Sequence, residues 1–468
     1  MRNFLNLLRN LFSDFLIAVQ GKEKDFTSGS IKRAIFMLSV PMILEMVMES
    51  LFAVVDVFFV SKVSVDAVAV VGLTESVLTI LYAVAMGLSL GATAMISRRI
   101  GERNTQAAAK AAAQILTLTM LISILVGVSG ILYSEEILML MGATPELASK
   151  GKIYTQWMLG GNITVMLLFI INAIFRGAGD ASLAMRVLWI SNGINLILDP
   201  CLIMGWWIFP ELGLAGAAIA TNIGRAIGVL FQVYALLSSR SVINLRLHDF
   251  LLEKAVITRL IKLSTGGTVQ FLIGSASWVF MVRIISEFGS DVVAGYTIAF
   301  RIIIFTILPS WGVANAAATL VGQNLGANNP DKAEKAVWLA SFYNMLFLAA
   351  ISLIFFTNAE YFVHIFTTVP VVVKEATQSL KIICSGYIFF AYGMVISQSF
   401  NGAGDTLTPT LINFICYWIV QIPLAWITAV FFGFEGTGVY FSIAFSLSLL
   451  AIISIILFKR GKWKAVHV

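Results

Sequence analysis

Twelve apolar stretches, each long enough to cross a lipid bilayer, leave this chain few folds to choose from. They lie at about residues 31–61, 68–94, 107–133, 153–175, 183–206 and 213–238, and again at 258–285, 292–317, 336–357, 376–400, 407–432 and 437–458. A hydrocarbon core of ~30 Å needs ~20 helical residues, and lipid offers no partner to a free backbone N–H or C=O. Each stretch is therefore expected to be an α-helix. Charged residues make up 12% of the chain and hydrophobic ones 59%, too few charges to cover a water-soluble surface. The expected class is an all-α polytopic membrane protein with twelve transmembrane helices. Cys201, Cys384 and Cys416 are odd in number and sit in apolar runs, so they read as core residues rather than a disulfide framework.

The twelve stretches are six, used twice. Phe175-Arg176-Gly177-Ala178-Gly179-Asp180 returns as Phe400-Asn401-Gly402-Ala403-Gly404-Asp405, an offset of 405 − 180 = 225. Gly101 and Gly326, Lys110 and Lys335, and Asp66 and Asp291 keep the same offset. Four landmarks in one register mark a duplicated half. Six spans per half is an even number, so the two pseudo-symmetric lobes enter the membrane from the same side. The expected units are an amphipathic segment at 1–30, a first lobe at 31–238, a polar linker at 239–257, a second lobe at 258–458 and a basic tail at 459–468. Residues 4–19 carry apolar side chains at helical spacing broken by Arg9 and Asp14, which suits an in-plane interfacial helix. In the repeated turns, glycine permits positive φ and the aspartate is expected to cap the following helix. These turns are expected to touch neither ion nor substrate.

Charge orients the layout. With the N-terminus inside, 23 of the 31 Lys and Arg residues fall on the cytoplasmic side, 6 fall on the other, and Arg225 and Arg301 lie within spans. This bias places both termini in the cytoplasm and accounts for the basic balance without a nucleic-acid partner.

Ionisable groups inside spans are costly and mark function by default. Glu45, Glu49 and Asp56 form one acidic stripe on the first span, and Glu75 lies on the second. Asn192, Asn195 and Asp199 share a face of the fifth span, with Thr221 at comparable depth on the sixth. Two carboxylates, an amide and a hydroxyl facing one space suit a proton relay, a weakly bound Na⁺, or an interhelical hydrogen-bond network. Arg225 has Asp56, Asp199 and Glu75 as candidate partners, whereas Arg301 has no evident acid in its half. The second half carries Gln270, Met281 and Leu424 where the first has Glu45, Asp56 and Asp199, so coupling is expected in the first lobe alone.

Other chemistries lack their residues. No Gly-x-x-x-x-Gly-Lys-Ser/Thr or His-Glu-x-x-His pattern occurs, and His248, His364 and His467 lie in loops or the tail. No nucleotide, metal or other cofactor is expected. A flippase for a lipid-linked precursor is the nearest alternative, but acids outnumber cations among the buried groups.

Several local signatures coincide: Pro41 followed by Val55-Asp56, Gly87-(x)₃-Gly91 leading to Arg98-Arg99-Ile100-Gly101, the Phe175–Asp180 turn, and Asn195-Leu196-Ile197-Leu198-Asp199-Pro200. Together they resemble the multidrug and toxic compound extrusion (MATE) family, in its bacterial or archaeal branch, over about residues 30–458. The resemblance implies a central cavity between the lobes and export of bulky, often cationic or aromatic compounds against H⁺ or Na⁺ across the plasma membrane, by a monomer. It implies that Asp56, Asn195 and Asp199 form the cation site, possible Na⁺ ligands among them, with Asn172 and Asn192 as weaker matches. Glu45, Glu49, Asn172, Arg225, Gln270, Trp278, Tyr296 and Arg301 are the candidate cavity residues. The chain departs from members that carry buried acids in spans seven and ten.

Overall fold

The computed structural model describes residues 12–21, 25–60, 62–238, 241–466 and 468. Residues 1–11 and 22–24 of the amphipathic segment, Arg240 of the linker and His467 lie outside the described residues. The spans are α1 (Ile31–Val60), α2 (Val65–Gly101), α3 (Thr105–Leu132), α4 (Pro145–Ala178), α5 (Ala181–Met204) and α6 (Leu214–Leu237). The second lobe repeats them as α7 (Lys254–Ile285), α8 (Ser290–Gly326), α9 (Pro330–His364), α10 (Pro370–Ala403), α11 (Leu407–Phe431) and α12 (Glu435–Lys459). Ten of these are long and apolar enough to span, and α10, bent by 57° at Gly386, makes an eleventh. The twelfth, α1, has 30 residues and carries Glu45, Glu49 and Asp56 in an otherwise apolar sequence.

Several helices outrun the apolar stretches that announced them. At 37 residues, α2 and α8 are each roughly 55 Å long, well beyond a ~30 Å core. Their extra turns mix polar residues such as Ser97, Arg98, Gln323 and Asn324 with apolar ones such as Ile96 and Leu320, all buried against protein. The earlier start of α10 also brings in Glu375, half-buried and accepting from the Tyr440 hydroxyl at 3.4 Å. The helix thus carries a half-buried acid just before the stretch 376–400 read from the sequence.

The ends of α2, α4, α6, α8, α10 and α12 share one face with the terminal segments, here called the terminal face. Each lobe's first helix packs against the other lobe's second helix, α1 on α8 and α7 on α2. One apolar core fills the first lobe, a second fills the far half of the second lobe, and a third joins the lobes at the terminal face. That third core includes the α8 alanines Ala314, Ala316 and Ala317, and small side chains let the helices approach closely. At its edge, a Cβ on Gly101 would stand 2.0 Å from the Gln323 carbonyl, and one on its repeat partner Gly326 would stand 2.1 Å from that of Arg98. Thr319 donates to the Arg176 carbonyl at 3.2 Å and Gln323 to that of Gly177 at 3.2 Å, stitching the same seam.

Both terminal segments close over this seam. Residues 12–20 are helical, with Phe12 and Leu16 exposed and Ala18 buried. Phe26 packs against Gly179. The tail folds back so that Trp463 is fully buried and stacked 4.6 Å from Phe458, while Arg98 donates to the Val466 carbonyl.

The repeated turns differ in one respect from expectation. Gly179 and Gly404 both adopt left-handed φ, 87° and 90°, which glycine takes at no steric cost. Asp405 bonds the Thr408 amide and hydroxyl, but Asp180 makes no side-chain cap. Its carboxylate turns to the linker instead, accepting from the Ser241 hydroxyl at 2.9 Å and the Val242 amide at 2.7 Å.

Candidate functional site

Between the lobes, above the seam, lies a cavity of about 870 Å³. It runs from Gly267 and Ala318 near the seam toward Met281 and Tyr296. Its two walls differ in chemistry. The second lobe supplies aromatic side chains, among them Trp278, Tyr296, Phe300 and Tyr417. The first supplies Glu45, Glu49 and Asn172 from the α1 stripe and α4.

The α1 stripe is divided by depth. Glu45 and Glu49 line the cavity, but Asp56 is roughly 10 Å farther along the axis than Glu49 and does not. Glu45 Oε1 accepts from Arg176 Nη1 at 2.6 Å and from Asn172 Nδ2 at 3.1 Å. Gln232 in turn donates to Asn172 Oδ1 at 2.7 Å. Glu49 accepts from Asn192 at 3.0 Å, so Asn192 belongs with the cavity acids and not with Asp199.

A second polar group sits behind the cavity wall. Asn195 Nδ2 donates to Asp199 Oδ1 and to Thr221 Oγ1, both at 3.2 Å. The i, i+4 spacing puts Asn195 and Asp199 on one face of α5. On α6, Gly224 lets the backbone come so close that a Cβ there would lie 2.7 Å from the Ser191 carbonyl, which brings Thr221 within reach. All three residues are buried, and Asn195 Oδ1 and Asp199 Oδ2 have no hydrogen-bond partner. Asp56 is half-buried and does not bond to this trio, although it is within electrostatic reach of Asp199, Glu75 and Arg225.

The two intramembrane arginines are placed differently from the sequence expectation. Among the described residues no carboxylate lies within 4 Å of Arg225. Its guanidinium stands 5.4 Å from the Phe52 ring and 5.9 Å from the Phe169 ring, with Nε and Nη1 unpartnered. Phe169 lines the cavity, so Arg225 is just behind its wall. Arg301 is exposed, about 100° around α8 from the cavity-lining Phe300, and faces away.

The residues that the sequence reading left out include Arg176 and its repeat partner Asn401, both cavity-lining and each directly preceding a Gly-Ala-Gly-Asp turn. A signal for Arg176 was present. It stands four residues after Asn172 on the same face of α4, and a buried Glu45 needs a partner.

The MatE sequence profile matches residues 41–201 and 268–427, two stretches in the order of the repeat and well over half of the chain. The chain belongs to the MatE family. It is 25% identical to a probable multidrug resistance protein NorM of Thermotoga maritima, over 93% of each chain. It is 24% identical to a FAD transporter of Shewanella oneidensis, over 87% of this chain and 90% of that one. A solved structure described as the outward-facing conformation of a multidrug resistance MATE family transporter superposes with a TM-score of 0.88 at 26% identity, covering 93% and 97% of the two chains. This MatE member is thus a twelve-helix membrane transporter with a cavity between its lobes.

Proposed function

We propose that the protein is a secondary active exporter of bulky aromatic cations, driven by inward flow of H⁺ or Na⁺, with both termini in the cytoplasm. The observation that carries this reading is the buried Asn195–Asp199–Thr221 trio, whose unpartnered Asp199 oxygen invites a proton or a small cation. A carboxylate in so apolar a setting is costly unless neutralised, so binding a cation there alters how α5 and α6 pack. Asp56, half-buried and nearby, is the second coupling acid, with Asn192 acting through Glu49. Exchange of one H⁺ or Na⁺ for a singly charged substrate moves no net charge, so the coupling ion's concentration gradient drives it, and each further coupling ion adds about 2.3 kcal/mol per 100 mV.

The seam at the terminal face supports an outward-facing state, since the lobes meet there and the cavity begins above it. First lobe 31–238, linker 239–257, second lobe 258–458 and tail 459–468 are the working units, and a single protomer encloses the cavity. The names of the multidrug relatives agree with this substrate class. A lipid-linked-precursor flippase would hold a pyrophosphate with several cationic side chains. Among the described residues Arg176 is the one cationic side chain that lines the cavity, and Glu45 already holds it.

The test is efflux of a fluorescent organic cation from proteoliposomes under an imposed H⁺ or Na⁺ gradient. Asp199→Asn is expected to abolish gradient-driven efflux while dye binding in detergent persists. Efflux at the wild-type rate in that variant rules out the coupling assignment.

A further inference from the structure

Among the described residues three charged side chains line the cavity, Glu45, Glu49 and Arg176, and all come from the first lobe. The repeat positions across the cavity are Gln270, Gly274 and Asn401, all neutral. Arg176 and Glu45 keep only 11% and 2% of their side chains exposed and meet at 2.6 Å. Within so little water their charges largely cancel for anything bound in the cavity. Glu49 has an amide, Asn192, as its partner, so its charge remains.

We propose that Arg176 sets the charge the cavity accepts: by neutralising Glu45 it leaves Glu49 as the single uncompensated acid, and the site selects aromatic substrates carrying one positive charge over those carrying two. This rests on the reading of the cavity as the substrate site. Three further features fit it. Glu45 Oε2 is buried without a partner, so the carboxylate keeps an oxygen that Arg176 does not occupy. Gln270 Oε1, at Glu45's repeat position, is likewise unpartnered, and glutamine there supplies an acceptor without a charge. A Cβ on Gly274, where the repeat of Glu49 would stand, meets nothing within 4 Å, leaving room for the aromatic body of a ligand against Trp278.

The experiment measures binding of a matched dye pair to the purified full chain in detergent by fluorescence polarisation. Ethidium carries one positive charge and propidium carries two on the same ring system. The wild type is expected to favour ethidium. Arg176→Gln frees Glu45 and is expected to raise the propidium-to-ethidium affinity ratio about tenfold, whereas Arg176→Lys keeps the wild-type ratio. Glu45→Gln is expected to lower the ratio by a similar factor. Gln270→Glu adds a carboxylate on the opposite wall without touching the pair, and is expected to raise the ratio even where the Arg176 variant fails to fold.

A pair that only held helices together would change thermal stability and leave the Arg176→Gln and Glu45→Gln ratios at the wild-type value. Ratios within twofold of wild type in Gln270→Glu and in whichever of Arg176→Gln and Glu45→Gln fold overturn the proposal. Failure of the wild type to bind either dye overturns the exporter reading, and this proposal with it.

Discussion

Asn195 joins the buried trio because one amide nitrogen serves two acceptors, Asp199 and Thr221, at 3.2 Å each. Its own carbonyl and the second Asp199 oxygen stay unpartnered inside the lobe, where such atoms are costly, so a bound cation has two oxygens to satisfy. Removing the third oxygen should weaken cation binding without touching the cavity. A net hydrogen bond of about 0.5–1.5 kcal/mol corresponds to roughly two- to twelve-fold. Thr221→Val is therefore expected to raise the half-saturating H⁺ or Na⁺ concentration for transport by about that factor, with dye affinity unchanged. The reverse pattern, altered dye affinity with normal cation dependence, would move Thr221 into the substrate site. Helical spacing alone put Asn192, Asn195 and Asp199 on one face of α5. It did not show that Asn192 bonds Glu49, or that Arg225 lies between Phe52 and Phe169 rather than against an acid. Spacing gives a side chain's direction around its own helix, and the rotation of that helix against its neighbours comes from packing.

The same distinction holds for whole elements. Span lengths read from hydropathy undershot α2 and α8 because their last turns pack on the other lobe, and apolarity stops being required once lipid is left behind. Residues 459–468 looked like a solvated basic tail, and four cations in ten residues gave no reason to think otherwise. Trp463 is nevertheless completely buried, stacked on Phe458, with its indole N–H on the Phe458 carbonyl at 3.0 Å. Lys464 binds Glu334 at 2.5 Å and so keeps its charge outside that core. Truncating a buried Trp typically costs about 3–5 kcal/mol. Trp463→Ala should lower the thermal midpoint in detergent by several degrees, and a midpoint equal to wild type would mean the tail is not part of the folded core.

At the scale of the molecule, two lobes of one design meet along a seam that only small residues permit. A methyl group at Gly101 would sit 2.0 Å from a backbone carbonyl of α8, and a carbonyl cannot rotate aside as a side-chain tip can. Overpacking of this kind costs about 1–3 kcal/mol, enough to change a two-state population by roughly five- to a hundred-fold. Gly101→Ala is expected to open the terminal face. Pulsed electron paramagnetic resonance between spin labels at Arg103 and Asn328 should show a longer distance, with a fall in transport. An unchanged distance distribution would show that the seam tolerates the methyl.

The sequence by itself determined the all-α membrane class, the twelve spans, the 225-residue repeat and the family. Each rests on a periodicity or a local motif that neighbours cannot alter: lipid demands helices, and duplication leaves a register. Tertiary structure alone decided which polar groups meet. It gave Glu45 to Arg176, 131 residues away, left Asp56 near the trio but not bonded to it, turned Arg301 outward, and sealed one face of the molecule. Those outcomes depend on how close two helices come and at what rotation. Gly101 and Gly224 make the approach possible, and the rotation follows from every side chain packed around them.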